Sequence, residues 1–331
     1  MKLTRFSSDP VLAPNPGNDW ESFITTNPGA WRDPATGKVS LLYRAAGSDP
    51  EHIVRLGLAE SMDGFHFERV SPEPVFAPLP GNYDGGCIED PRLVKFGDWF
   101  FLTYACRPAP NGQYWMGLKR TFRFALEPEL PAPFGNNGMM TAIAFSRDLR
   151  QWRRGGFITH PEQEDHDVIL FPEKINGRYR YLHRPLFAGE IPGIWLADAD
   201  NPLRLSNSRV LAMPREDWEA QKIGGNAPPL RTDRGWLTIY HGVGKDGYYR
   251  LGALLLDRND PNRVIGRTRE PIFEPEAWYE LGGCHNFKGV VFPCGNAIIG
   301  DRLVVYYGAA DKYIGIAHCP LAGLLDELAR S

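Results

Sequence analysis

The chain has 331 residues, of which 43% are hydrophobic and 23% charged, and its formal net charge is −3. That balance describes a folded globular protein, and the near-neutral charge excludes a sequence-independent nucleic-acid binder, which needs a strongly basic face. Aromatic residues reach 12%, with nine Trp, a content that suits a sugar-binding cleft as well as a β-rich core.

In chain order, the opening MKLTRFSSDPVLAPNPG lacks an apolar h-region and is not expected to be a signal peptide. No apolar run approaches the ~18 residues of a membrane span. The five cysteines (Cys87, Cys106, Cys284, Cys294 and Cys319) are scattered and form no CxxC pair. This pattern predicts reduced thiols in a cytoplasmic protein, without disulfides or a zinc site.

From residue 27 onward, five segments share one grammar: a polar turn, a proline or glycine, a short apolar stretch, a tight turn, then an apolar strand. They are NPGAWRDPATGKVSLLYRAAG (27–47), EDPRLVKFGDWFFLTYACR (89–107), HDVILFPEKINGRYRYLHRP (166–185), NAPPLRTDRGWLTIYHGV (226–243) and FKGVVFPCGNAIIGDRLVVYYGAAD (287–311). The turns ATGK, FGDW, INGR, TDRG and IGDR close hairpins. A further strand follows each: VRLGLAES, MTAIAFSR, IWLADAD, YRLGALLLD and YIGIAHC. The unit is thus about four strands recurring every roughly 60 to 70 residues. Four-stranded units repeated about an axis predict an all-β fold, a five-bladed β-propeller occupying residues 1–331 as one domain. The competing architecture is a large β-sandwich. Helical periodicity enters only at LAGLLDELAR, predicting a short C-terminal helix within 320–331.

One stretch breaks the pattern. Residues 107–141, inside the second unit, are rich in Pro, Asn and Gly and read as a long insertion loop. Its Tyr114, Trp115 and Phe122 suit a cleft cover, a subunit contact in a homo-oligomer, or packing on the propeller's own rim.

A propeller gathers matching repeat positions around its channel, so function is expected there. The turn before each hairpin offers Asn27, Asp90, Asp167 and Asn226. The end of the second strand offers Arg44, Arg107, Arg184, His241 and Asp311. Like charges converging on one axis imply anionic or polyhydroxyl ligands.

The segments IEDPR (88–92), LFPEKINGRYRYLHRP (170–185), GWLTIYHGV (235–243) and YYGAADKYIGIA (306–317) resemble glycoside hydrolase family 130, a family of inverting mannoside phosphorylases and some β-1,2-mannosidases on five-bladed propellers. The resemblance runs from about Asn27 to Ala317 and leaves the 107–141 insertion unmatched. It implies that Asp90 is the general acid, its proton passing through a sugar hydroxyl. Glu89 would supply negative charge and Ile88 and Leu93 burial, keeping that acid protonated.

For phosphate, the resemblance implies Arg184, Arg231, His241 and His166. Arg231 stands where the family usually has Lys, and His166 and Asp167 stand where it often has a basic step. For sugar it implies Asn27, Arg44, Asp167 and Asp311, with Tyr249 and His285 as further contacts.

An inverting hydrolase needs a second carboxylate to activate water, and Asp167 or Glu280 is the candidate. A phosphorylase needs only the acid and a cationic pocket. The expectation is therefore phosphorolysis of a β-mannoside to α-mannose 1-phosphate, with inorganic phosphate as co-substrate and no other cofactor or metal. Eight scattered His show no ligand spacing. Hydrolysis is the alternative. A non-catalytic carbohydrate-binding propeller has no need of the acid at position 90. An arabinanase-like enzyme would use Asp33, Asp90 and Asp167.

Overall fold

The computed structural model describes residues 1–113, 129–130, 133–160, 162–282 and 287–330. Tyr114, Trp115, Phe122 and His285, and much of the 107–141 insertion, lie outside the described residues.

After a short strand β1 (Thr4–Arg5) come β2 (Ile24–Arg32), β3 (Val39–Ala46), β4 (Arg55–Ser61) and β5 (Glu68–Arg69), which form blade 1. Blade 2 is β6 (Cys87–Phe96), β7 (Trp99–Arg107), β8 (Met140–Ser146) and β9 (Arg153–Phe157). Blade 3 is β10 (Asp165–Leu170), β11 (Tyr179–Pro185), β12 (Ile194–Ala199) and β13 (Ser206–Ala212). Blade 4 contains β14 (Lys222–Gly225), β15 (Leu230–Arg231), β16 (Trp236–Val243), β17 (Tyr249–Leu256) and β18 (Val264–Arg267). Its inner strand is split in two by the prolines of NAPP, which cannot donate to a ladder. Blade 5 is β19 (Val291–Ile299), β20 (Arg302–Ala309) and β21 (Tyr313–Pro320), followed by the helix α1 (Leu321–Leu328). The fold is a five-bladed β-propeller.

Strand β1 supplies the outer edge of blade 5, pairing Thr4 with His318 and Arg5 with Ala317. The N-terminus thereby closes the ring and covers a sheet edge. Both faces of the middle strands β3 and β16 are buried, which explains uniformly apolar runs such as LLYRAA, whereas outer strands such as β13 are largely exposed. Successive blades share apolar seams: Leu42 and Leu58 with Leu93 and Leu102; Val94 and Ile143 with Val168 and Tyr181; Ile169 and Leu182 with Ile223 and Trp236; Leu237 and Leu251 with Val291 and Val305; Val304 and Ile316 with Val39 and Leu41.

Four blades also carry a buried polar clasp. Tyr43 and Arg69 both bond Glu21, at 2.9 and 2.8 Å. Tyr104 and Arg154 hold Asp84 at 3.2 and 2.6 Å. Tyr240 and Arg267 hold Glu219 at 2.9 and 2.6 Å, and Tyr307 and Arg5 hold Glu280, both at 2.6 Å. Opposite the tyrosines lie Gly57, Ala142, Gly252 and Gly315. A Cβ at Gly57 would come within 2.2 Å of the Tyr43 ring, so the ring itself demands glycine there.

These carboxylates are fully buried, and a buried charge without its partner is costly. Arg267→Ala is therefore expected to destabilise the fold by about 3–5 kcal/mol, read as a fall in the denaturation midpoint.

Candidate active site

The inner strands of blades 1, 2 and 3 each break register at one place: between Thr26 and Gly29, Glu89 and Arg92, and His166 and Ile169. At these bulges Asn27, Asp90 and Asp167 adopt positive φ, at 44°, 51° and 52°. Asn and Asp tolerate this conformation better than other side-chain-bearing residues, which gives a physical reason for their use at matching places. A bulge re-aims the side chain it carries, and all three side chains line one funnel of about 470 Å³. Asp311, with φ 53°, enters the same funnel from the turn after β20.

The residue after each clasp tyrosine, or after its counterpart His183 in blade 3, is Arg44, Ala105, Arg184, His241 or Gly308. Of these, Arg44, Arg184 and His241 line the funnel. Gly308 makes room, since a Cβ there would overlap Asn27 Oδ1.

Asp90 Oδ1 accepts a hydrogen bond from Asn27 Nδ2 at 2.8 Å and one from Arg44 at 3.2 Å. The same guanidinium reaches Glu89 at 3.0 Å. Arg92 is the hub beneath: it donates to the Asp90 carbonyl (3.0 Å), the Asp167 carboxylate (3.1 Å) and the Asn226 carbonyl (2.8 Å). One buried side chain thus ties the inner strands of three blades together. Arg184 Nε donates to Asp167 at 2.6 Å, and His241 Nε2 lies 4.0 Å from that carboxylate. Burial alone would raise the Asp167 pKa, but Arg184, His241 and Arg92 hold it well below the usual carboxylate range.

Opposite stands Lys222, delivered by β14 and donating to the Tyr249 hydroxyl at 2.6 Å. Burial, reinforced by Arg184, lowers its pKa to about 8. His241 is fully buried, and that burial pushes its pKa well below the ordinary value, with Arg184, Lys222 and Arg92 acting in the same direction against Asp167. Among the described residues, both of its ring nitrogens lack a hydrogen-bond partner. The chain comes this close because residue 224 is glycine: a Cβ there would lie 2.2 Å from Asp167 Oδ2 and 2.5 Å from the His241 ring.

The funnel therefore brings together Asn27, Arg44, Asp90, His166, Asp167, Arg184, His241, Tyr249 and Asp311, all singled out from sequence. Other expectations are corrected. Arg231 is exposed on β15 and pairs with Glu173 at 2.9 Å, outside the funnel, because the Pro228–Pro229 break carries the chain away from the channel. Lys222 lines the funnel instead, and its sequence signal is no more than a charge beside the small residues of KIGGN. Glu280 is consumed in the blade 5 clasp and is no candidate base.

Arg107 donates to the Asn137 carbonyl, and Asn226 takes part through its backbone. His166 reaches the funnel but pairs with Glu164 at 2.8 Å. Asp33 caps its own hairpin turn at Ala35, which removes one acid from the arabinanase-like pattern. Arg92, buried in EDPR, was not singled out beforehand.

The family model for glycoside hydrolase family 130, described as β-1,4-mannooligosaccharide phosphorylase, matches residues 18–131 and 132–330. A 1,2-β-oligomannan phosphorylase of Thermoanaerobacter sp. is 36% identical over 323 residues, 96% of this chain and 97% of the relative. A β-1,2-mannobiose phosphorylase of the same organism is 33% identical over 329 residues, 96% and 97% of the two chains. The solved structure of a β-1,2-mannobiose phosphorylase from Listeria innocua, in complex with β-1,2-mannobiose, superposes with a TM-score of 0.80 at 26% identity, covering 100% of both chains. The repeat, the bulge carboxylates and these matches agree, and the chain belongs to glycoside hydrolase family 130.

Proposed function

We propose that the protein is an inverting β-mannoside phosphorylase that releases α-mannose 1-phosphate, acting on β-1,2-linked oligomannosides as two of its relatives are named for. The observation that carries this reading is the cluster of Arg184, Lys222 and the orphaned His241. Two cations and a buried, neutral imidazole with unused nitrogens form a pocket suited to a phosphate anion. Asp167, locked between Arg92 and Arg184, is a poor base for activating water.

In the reaction, Asn27, Arg44 and Asp311 hold the hydroxyls of the nonreducing mannose. Asp90 gives its proton to a sugar hydroxyl, which passes its own to the glycosidic oxygen. A phosphate oxygen, steadied by Arg184, Lys222 and His241, attacks the anomeric carbon from the opposite face as the glycosidic bond breaks. The configuration inverts from β to α, and the glycosidic oxygen leaves as a hydroxyl on the shortened acceptor. Consumption of phosphate suits the cytoplasmic setting expected from the sequence.

The test is incubation with β-1,2- and β-1,4-mannobiose, with and without phosphate. The expected outcome is α-mannose 1-phosphate only when phosphate is present, from the β-1,2-linked substrate in preference. Free mannose at an equal rate without phosphate would overturn the reading.

A pH effect accompanies it. Lys222 is charged below its pKa of about 8 and neutral above it. The KM for phosphate is expected to rise between pH 7.5 and pH 9, about tenfold, and Lys222→Met should flatten that rise.

A further inference from the structure

Four blades fill the space beside their second strand with the acid–tyrosine–arginine clasp; blade 3 does not. His183 stands at the tyrosine position, and Trp195 stands opposite it where the other blades have glycine or alanine. The outer-strand Arg209 turns instead to Asp198 and Asn262. What remains is a cavity of about 560 Å³ between the end of blade 2 and the outer part of blade 3.

Strand alternation keeps it apart from the funnel. His183, Pro185 and Phe187 line the cavity, whereas Arg184 and Leu186 line the funnel.

The cavity has a built polar group. His183 is 96% buried by side chain, with 4% exposed. Its Nδ1 lies 2.7 Å from Asp165 Oδ2, and Asp165 Oδ1 accepts the Arg184 backbone N–H at 3.1 Å. Nδ1 is thereby engaged by the carboxylate, and Nε2 has no hydrogen-bond partner among the described residues. Beside it, the rings of Trp195 and Phe187 meet at 5.6 Å, and Phe187 remains 40% exposed. Arg204 and Ser208 lie exposed along the lining.

An apolar aromatic wall accommodates the C–H face of a sugar ring. The unpartnered Nε2 suits a hydrogen bond with a sugar hydroxyl, which can donate or accept, and the guanidinium and serine hydroxyl donate to sugar oxygens. A hydrocarbon would leave Nε2 unsatisfied. The volume lies in the range of small-ligand sites. We propose that this cavity is a second saccharide-binding site, distinct from the catalytic funnel and taking one or two pyranose units of an oligosaccharide. Such a site would hold a longer chain on the enzyme between turnovers.

The choice of probe, β-1,2-mannotriose, rests on the function proposed above; the cavity itself does not. Calorimetric titration of the wild-type chain without phosphate is expected to show two sites per chain. Phe187→Ala should abolish one of them, and Ser208→Trp, a rim substitution that blocks the mouth, should abolish the same one. Arg44→Ala should abolish the other. Phosphorolysis of β-1,2-mannobiose by Phe187→Ala should keep its kcat/KM within twofold.

Binding that is unaffected by both Phe187→Ala and Ser208→Trp would overturn the second site, leaving a cavity that holds water only. If the Arg44-sensitive site alone is missing, the mannoside reading of the funnel fails and the second site stands. If no binding occurs at all, the second site is overturned as well.

Discussion

Replacing Asp90 with Asn is expected to lower kcat about 10²–10⁴-fold, the range that a positioned acid contributes, while leaving the fold and the KM for phosphate near their wild-type values. The backbone at position 90 accepts this replacement. Asp90 sits at φ 51° on a bulge, and Asn is as tolerant of that conformation as Asp. The amide keeps an oxygen for the bonds that Asn27 and Arg44 now donate. What is lost is the transferable proton. Steady-state kinetics checks the split: a fall in kcat without a change in melting temperature supports the assignment, and near-normal turnover removes Asp90 from the mechanism.

The second large effect is expected at Arg184. Its guanidinium is the closest cation to Asp167 and lines the funnel where phosphate is proposed to bind. Arg184→Ala should reduce kcat/KM for phosphate about 10²–10³-fold, the loss seen when one preorganised electrostatic donor is deleted. Arg184→Lys should recover only part of it, since an ammonium lacks the planar fork. Asp167 is buried and would then keep Arg92 and the more distant His241, so part of the effect on the single variant is destabilisation. The double variant Arg184→Ala with Asp167→Asn removes that unpaired charge. If the double variant regains stability but not phosphate affinity, Arg184 acts on the anion. If it regains both, Arg184 merely balances Asp167.

Much of this site was legible in the chain before its shape was known, for a physical reason. Asn27, Asp90 and Asp167 occupy the same bulge in successive repeats, and a bulge at positive φ restricts the residues that can stand there. Spacing from the hairpin turns therefore located them. Arg44, Arg184 and His241 were legible in the same way, each following an aromatic ring or imidazole that turns outward.

The failures have equally specific causes. Lys222 precedes its repeat's polar turn by four residues, outside the shared grammar, and enters the funnel only because Gly224 permits a close approach. Arg231 looked equivalent in sequence, but the two prolines before it split the inner strand and turn the chain out. Arg92 carries no repeat signal, since its partners belong to three different blades. The ring closure through Thr4 and Arg5 involves too few residues to show a strand pattern. The clasp acids Glu21, Asp84 and Glu219 each stand three residues before an inner strand, a regular spacing that lies ahead of the hairpin grammar and was therefore missed, whereas Glu280 stands eleven residues before β19.

In the proposed reaction one proton donor, Asp90, faces an anion pocket made by Arg184, Lys222 and His241. The most direct measurement is a crystal structure of the protein with phosphate and the nonreducing mannose bound. Phosphate oxygens are expected within hydrogen-bonding distance of all three basic residues, on the side of the sugar ring away from Asp90. Phosphate bound elsewhere at saturating concentration, with a water held by Asp167 beneath the anomeric carbon, would contradict it.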